Sequence, residues 1–301
     1  MYSLPFSPLY GIVGAQESRI NLEVSSLKKK HVGTALGFLA VCVAAKTIYL
    51  VAPGRVDNTR KRELEGRNIA HRGLHRADTG IPENSLAAFD AAAENGYGIE
   101  LDVRLTADDR VVVFHDDDVS RLCGVSGNIS EMTWNEIKKL RLLDTNHGIP
   151  LLSESLVTVA GRGPVIVELK QGTRNRELCE RTLELISCYS GPILIESFDP
   201  RIVAWFRKFA PEITRGQLVC PKEKLSGETP LFAAFALANG LTNFLSRPHF
   251  IAHSIDKKSP LIRLAEKLGA MRVAWTATDG SHEDENDAVI FEGYRPRTKY
   301  R

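Results

Sequence analysis

The sequence predicts an α/β protein built as one (β/α)8 barrel, and three observations carry that prediction. Short apolar runs alternate with amphipathic or mixed segments from residue 67 onward. The alternating stretch has the size of one eight-fold barrel, roughly 250 residues. Four of the apolar runs end in polar or charged residues where apolar ones would be expected, as strands do when their ends converge on one mouth.

The runs with strand character are Asn68–Arg72, Ile99–Val103, Val111–His115, Val165–Lys170, Ile193–Phe198, Arg215–Val219, Phe250–His253, Arg272–Thr276 and Ala288–Glu292. Segments with helix character lie between them: Ser85–Asn95, Trp134–Arg141, Ser153–Ala160, Arg174–Tyr189, Pro200–Phe209, Leu231–Asn239 and Pro260–Leu268. Alternation of this kind predicts parallel strands joined by helical crossovers. Nine candidate strands for eight places put one of them outside the barrel. Between His115 and Pro164 two modest helices and much loop replace a plain crossover, which reads as a small inserted subdomain after the third strand, at about residues 116–150.

The N-terminal part differs. Lys28, Lys29 and Lys30 precede an apolar run from Val32 to Pro53 whose one charge is Lys46. About 20 apolar residues span a bilayer core as a helix, and Lys46 lies where it can snorkel to the interface. The expected organisation is therefore an extension (1–31), a single transmembrane anchor (32–53), a charged linker (54–66) and the barrel (67–301). A membrane partner and a single-pass membrane location follow. Basic residues on both flanks (Lys28–Lys30, then Arg55, Arg60, Lys61 and Arg62) leave the side of the barrel undecided. A cleaved signal peptide fits less well, because the basic stretch starts too deep.

Composition narrows the function. With 39 Lys plus Arg against 37 Asp plus Glu, the formal charge is only +2, and no dense basic stripe marks a nucleic-acid partner. The 5 cysteines are scattered, with neither a CxxC pair nor zinc spacing, which argues against a disulfide framework.

The chemistry lies in the strand ends. In Gly98-Ile99-Glu100-Leu101-Asp102-Val103 the two carboxylates are two apart, so both point to one side while Ile99, Leu101 and Val103 face the helices. Glu168 and Lys170 share a face in the same way. The first run ends in His71-Arg72 and the third in His115-Asp116. Three inward carboxylates repel unless something neutralises them, and Glu100, Asp102 and Glu168 are hard oxygen ligands suited to one divalent cation, Ca²⁺ or Mg²⁺. His71 and His115 could serve as general acid and base. Arg72 and Lys170 aim positive charge at the same spot, which suits a phosphate-like substrate. Metal-assisted phosphoester cleavage is the reading.

Other residues divide between bland and functional readings. Asn84 or Ser85 caps the following helix, with Asn84 favoured, and Glu83 stays open. Arg104 could touch a phosphate or pair with a loop. Trp275 could be core or a wall of the pocket, and the wall is favoured. His75, His147, His249, His253 and His282 read as ordinary loop or core histidines.

These residues resemble the glycerophosphodiester phosphodiesterase family. The match runs through His71-Arg72-Gly73, Pro82-Glu83-Asn84-Ser85 with Ala88-Phe89, Glu100-x-Asp102-Val103 with Thr106, and His115-Asp116. It continues with Thr133 and Glu136, Glu168-x-Lys170, Glu196-Ser197-Phe198-Asp199-Pro200 and Trp275-Thr276. Membrane-anchored members from Gram-positive bacteria look similar also at the N-terminal apolar run and at Ala288–Gly293. The last strand departs from the usual Thr-Asp pair, reading Ile290-Phe291-Glu292-Gly293, and a short acidic stretch (282–287) stands where a full helix is usual. The resemblance implies hydrolysis of a small glycerophosphodiester to glycerol 3-phosphate and an alcohol. By position it implies Glu100, Asp102 and Glu168 as metal ligands, His71 and His115 as the acid–base pair, and Arg72 and Lys170 on the phosphate. A hydroxyl of the substrate's own glycerol would then be the nucleophile, through a cyclic phosphate. Phospholipase-D-like hydrolysis of lysolipids or sphingolipids, or a barrel that binds phosphodiesters without cleaving them, are the alternatives.

Overall fold

A computed structural model describes residues 34, 36–225 and 229–301. The extension expected over 1–31 lies outside the described residues. The chain divides into two units, Met1–Tyr49 and Leu50–Arg301. Residues 36–51 form a helix, α1. Thr34 is helical as well, and the helix stops before Pro53. Among the described residues no helix is long and apolar enough to cross a membrane. That finding overturns the expected transmembrane anchor over 32–53 and the single-pass membrane location that rested on it; positions 32, 33 and 35 of that run are outside the described residues.

The second unit is an eight-stranded parallel barrel with helices. In chain order the strands are β1 (Arg67–Ala70), β2 (Gly98–Leu105), β3 (Val111–Val113), β4 (Val165–Leu169), β5 (Ile193–Ser197), β6 (Thr214–Val219), β7 (Phe250–Ser254), β8 (Met271–Ala277) and β9 (Ala288–Phe291). The order β1-β9-β8-β7-β6-β5-β4-β2 closes on itself through β1–β2. β3 is the strand left over. It runs antiparallel to β2, with Val103 opposite Val113, and stays outside the ring. The extra segment after β3 therefore falls between the second and third strands of the barrel. It gathers Phe114, Val119, Leu122, Ile129, Ile137, Leu142 and Ile149 into an apolar cluster of its own.

Strand alternation sorts the side chains. Ile99, Leu101, Val103, Val165, Val167 and Leu169 point outward into a layer shared with the helices. Ile69, Ile166, Leu194, Leu218, Phe250, Val273 and Ile290 fill the interior. The bottom is closed by α2 (Asn58–Leu64), which buries Leu64 among those interior residues and ties Glu63 to Thr214 at the start of β6 (2.6 Å). With the barrel plugged below, polar interior residues can accumulate only at the carboxyl ends of the strands. Between β8 and β9 one 3-10 turn, Gly280–His282, takes the place of a crossover helix.

Candidate active site

Glu100 and Asp102 lie on β2 and Glu168 on β4, with Asp102 and Glu168 paired in register. One ligand oxygen from each carboxylate comes within 4.8 Å of the other two. All three side chains are buried, between 0% and 8% exposed. Burial, then the charges of Asp102 and Glu168, push the Glu100 carboxyl well above its ordinary range. Burial raises Glu168 as well. Asp102 goes the other way: burial opposes its ionisation, but Lys170 and then Arg72 outweigh it. Lys170 ammonium sits 2.8 Å from Asp102 and 2.7 Å from Glu168, and these two carboxylates hold it protonated against burial.

The cations do not exhaust the cluster. Glu100 Oε1 is buried with no hydrogen-bond partner among the described residues, while Oε2 accepts from the Arg72 backbone N–H (3.0 Å). A buried carboxylate oxygen without a donor costs free energy that a bound cation would remove. Three carboxylates as donors fit a hard divalent ion.

Both sequence-predicted histidines reach this cluster, and each is held from behind. His71 follows β1; its Nδ1 meets Glu292 at 2.7 Å and its Nε2 is 3.9 Å from Glu100. His115 follows β3, and its Nδ1 meets Asp116 at 2.6 Å. Burial, then Lys170, lowers the His115 pKa. Arg72 pairs with Glu83 (2.7 Å) and lies 3.4 Å from Asp102. Beyond Glu83 comes Arg121, on the short helix α4 (Ser120–Cys123). It donates to both Glu83 oxygens (2.7 and 3.0 Å) and to Asp116 (2.5 Å). A chain of charge thus runs Arg72–Glu83–Arg121–Asp116–His115.

Several sequence readings change. Ser85, not Asn84, caps α3 (Leu86–Glu94), accepting from Ala88 N–H (3.2 Å). Asn84 adopts φ 54° and donates from Nδ2 to Asp102 (2.8 Å). Arg104, on β2, holds the loop after β3, donating to the His115 carbonyl (2.7 and 2.9 Å) and pairing with Asp117. His75 approaches Glu292 (3.5 Å) and so lies nearer the site than an ordinary loop histidine. Trp275 lines a cavity of about 600 Å³ together with His115, Glu168 and Lys170. Sequence reasoning passed over Glu292, Asp116 and Arg121 as site residues. Glu196 was also passed over: it is buried, stands opposite Glu168 in register, and its carboxyl is raised well above its usual range by burial and then by Glu168. Its position in an apolar strand, in the same alternation as Glu168, was the available signal.

Comparison with known proteins agrees with this geometry. Residues 71–291 match the glycerophosphoryl diester phosphodiesterase family. YhdW of Bacillus subtilis (strain 168), which carries a glycerophosphodiester phosphodiesterase name, is 31% identical over 243 residues, 75% of this chain and 97% of its own. A glycerophosphodiester phosphodiesterase of known structure from Thermotoga maritima is 27% identical, with TM-score 0.57 over 74% of this chain and 93% of that one. The fold is also that of an Oleispira antarctica phosphodiesterase solved with its product sn-glycerol-3-phosphate, at TM-score 0.62 and 24% identity over 75% of this chain and 93% of the other. The chain belongs to the glycerophosphoryl diester phosphodiesterase family and is a glycerophosphodiester phosphodiesterase.

Proposed function

We propose that this member of the family cleaves its diesters to glycerol 3-phosphate and an alcohol with His71 and His115 as the acid–base pair. Glu100, Asp102 and Glu168 would hold one divalent cation, Mg²⁺ or Ca²⁺, and Arg72 and Lys170 would bind the phosphate. The observation that carries this is the buried carboxylate triad within 4.8 Å, with two imidazoles and two cations around it. The cation, when bound, stabilises charge building on the phosphoryl oxygens.

The remaining work falls to side chains. Lys170 and Arg72 draw the phosphate toward the triad, and their ion pairs with Asp102 keep them in place. One imidazole accepts the proton of a substrate glycerol hydroxyl as that oxygen bonds to phosphorus. The other gives a proton to the alcohol oxygen as its bond to phosphorus breaks. Water then opens the cyclic phosphate with the two roles exchanged. An internal nucleophile is already close, an advantage worth roughly 7–11 kcal/mol of barrier, and it requires no nucleophilic serine or cysteine.

The extent of the chain we assign to this activity is 67–301, with 116–150 as an insertion, and α2, within the 54–66 stretch expected as a linker, closes the barrel from below. The test is release of glycerol 3-phosphate from glycerophosphocholine. His71→Ala and His115→Ala should each lower kcat by about 10²- to 10⁴-fold. A folded His71→Ala or His115→Ala protein with undiminished turnover would remove the assignment.

A further inference from the structure

Two histidines of one loop face the Glu292 carboxylate. His71 and His75 stand four residues apart in the segment that follows β1, and Glu292 follows β9, the neighbouring strand. One carboxylate oxygen takes the His71 Nδ1–H at 2.7 Å; the other lies 3.5 Å from His75 Nε2. That nitrogen is buried and has no hydrogen-bond partner among the described residues, and the His75 side chain as a whole is 18% exposed. A buried ring nitrogen without a partner costs free energy, and Glu292 is the carboxylate that faces it. The backbone on either side of His75 is fixed. Leu74 N–H donates to the Ala88 carbonyl of α3 (2.9 Å), and Arg76 and Ile81 exchange two backbone hydrogen bonds (2.8 and 3.0 Å). Gly73, at φ 80°, lies so close to Ala88 that a Cβ there would meet it at 2.8 Å. The His75 ring is therefore presented from a rigid loop, whereas the Glu292 side chain is 40% exposed. A glutamate this open gains rotamer freedom and hydration by leaving His71, so the single 2.7 Å contact does not by itself keep it there.

We propose that His75 is a positioning residue for the acid–base chemistry: its Nε2–H holds the second oxygen of Glu292 and so keeps the first on His71. His71 then meets the substrate in one orientation. At 3.5 Å the pair is longer than a formed hydrogen bond, and hydrogen bonds that serve catalysis commonly tighten only when substrate binds. Burial lowers the His75 pKa against the charges of Glu292 and Glu83, and His71 and Arg72 lower it further. At pH 8 the ring is therefore a neutral donor, and its support does not depend on charge. The inference rests on the phosphodiesterase reading above and adds one residue to the machinery of that site.

The experiment compares His75→Leu and His75→Gln with the unaltered protein at pH 8, with glycerophosphocholine as substrate. His75→Leu removes the donor and should lower kcat about five- to tenfold, the yield of one hydrogen bond, with KM within about twofold. His75→Gln places an amide N–H where Nε2 stood and should recover most of that loss. In a Glu292→Gln background His75→Leu should cost about twofold or less, because a residue that acts through Glu292 then has no charge left to hold. A crystal structure of His75→Leu should show the Glu292 carboxylate in more than one rotamer. His75→Ser repeats each measurement should His75→Leu fail to fold. Unaltered kcat in His75→Leu overturns the proposal, as does a loss carried by KM. An undiminished loss in the Glu292→Gln background overturns it too, and so does a His75→Gln protein no better than His75→Leu. If the unaltered protein cleaves no diester, the phosphodiesterase reading falls and the crystal structure decides alone: one Glu292 rotamer, still on His71 Nδ1 in His75→Leu, overturns the positioning role as well.

Discussion

Glu292 and Asp116 turn two ordinary histidines into oriented ones. A carboxylate on Nδ1 fixes that nitrogen as the donor and leaves Nε2 to take or give a proton; in His71 that nitrogen lies 3.9 Å from Glu100. Glu292→Gln keeps the shape but removes the charge that favours this arrangement. It should lower kcat about 10- to 100-fold with KM within about twofold, and Glu292→Asp should recover part of the loss. A Gln variant with unaltered kcat would show that His71 needs no such support. Glu83 gives a second test through pH. Burial opposes its ionisation, yet Arg121 and Arg72 hold its pKa at about 2, against 4.5 for a free glutamate. A depressed carboxylate pKa contributes stability that is fully present above about pH 4.5 and is lost as pH falls toward 2. Glu83→Gln should therefore be less stable than the unaltered protein near pH 6, by on the order of 2 kcal/mol, with the gap closing toward pH 2. Urea unfolding at both pH values measures it. A gap of constant size would mean that Glu83 carries no stabilising charge.

At the scale of elements, α4 is a four-residue helix that connects two parts of the site. Its Arg121 joins Glu83, in the loop after β1, to Asp116, beside His115. Arg121→Ala should lower kcat about tenfold, because Glu83, which holds Arg72, and Asp116 both lose a fixed partner. Its melting temperature should fall by no more than a few degrees, since Arg121 is half exposed and Glu83 keeps Arg72 as a partner. Arg121→Lys should not restore the rate, because a point charge cannot fork across two carboxylates. A drop in melting temperature large enough to explain the lost rate would count against a positioning role. Periodicity cannot announce an element like α4, which has a single turn and one buried residue, Leu122. It read the barrel strands well because alternation inward and outward is enforced by burial on both faces, as at Ile99, Glu100, Leu101 and Asp102. It could not exclude β3, whose three valines are as buried as those of any barrel strand; strand direction leaves no trace in such a run. The choice of Asn84 over Ser85 as helix cap failed for a related reason. Both residue types cap helices equally well, and only the proximity of Asp102 decides that Asn84 is drawn inward.

Closure of the whole barrel is what makes the site. Glu100 and Glu168 are distant in sequence and share a cluster only because β2 and β4 are neighbours in a closed ring. Sequence alternation disclosed that each points inward, and barrel geometry supplies the convergence. The net charge of +2 conceals this arrangement entirely, since the concentrated negative charge is inside and its compensation is local. Two cations, Lys170 and Arg72, favour Asp102, while Glu100 and Glu168 are left with raised pKa values, and Glu196 deepens the repulsion. A protein with this charge distribution is stabilised by any cation that binds the folded state alone. At an ion concentration about a hundredfold above Kd the gain is about 2.7 kcal/mol, a rise in melting temperature of roughly 5–10 °C for a barrel of this size. Stripping with chelator and adding back Mg²⁺ or Ca²⁺ should produce that rise in one of the two. Glu100→Gln should raise the melting temperature of the ion-free protein, because it relieves repulsion, and should abolish the response to added ion. If the unaltered protein melts at one temperature with and without both ions and keeps its turnover in chelator, the triad holds no cation, and its three carboxylates must be accounted for by proton sharing instead.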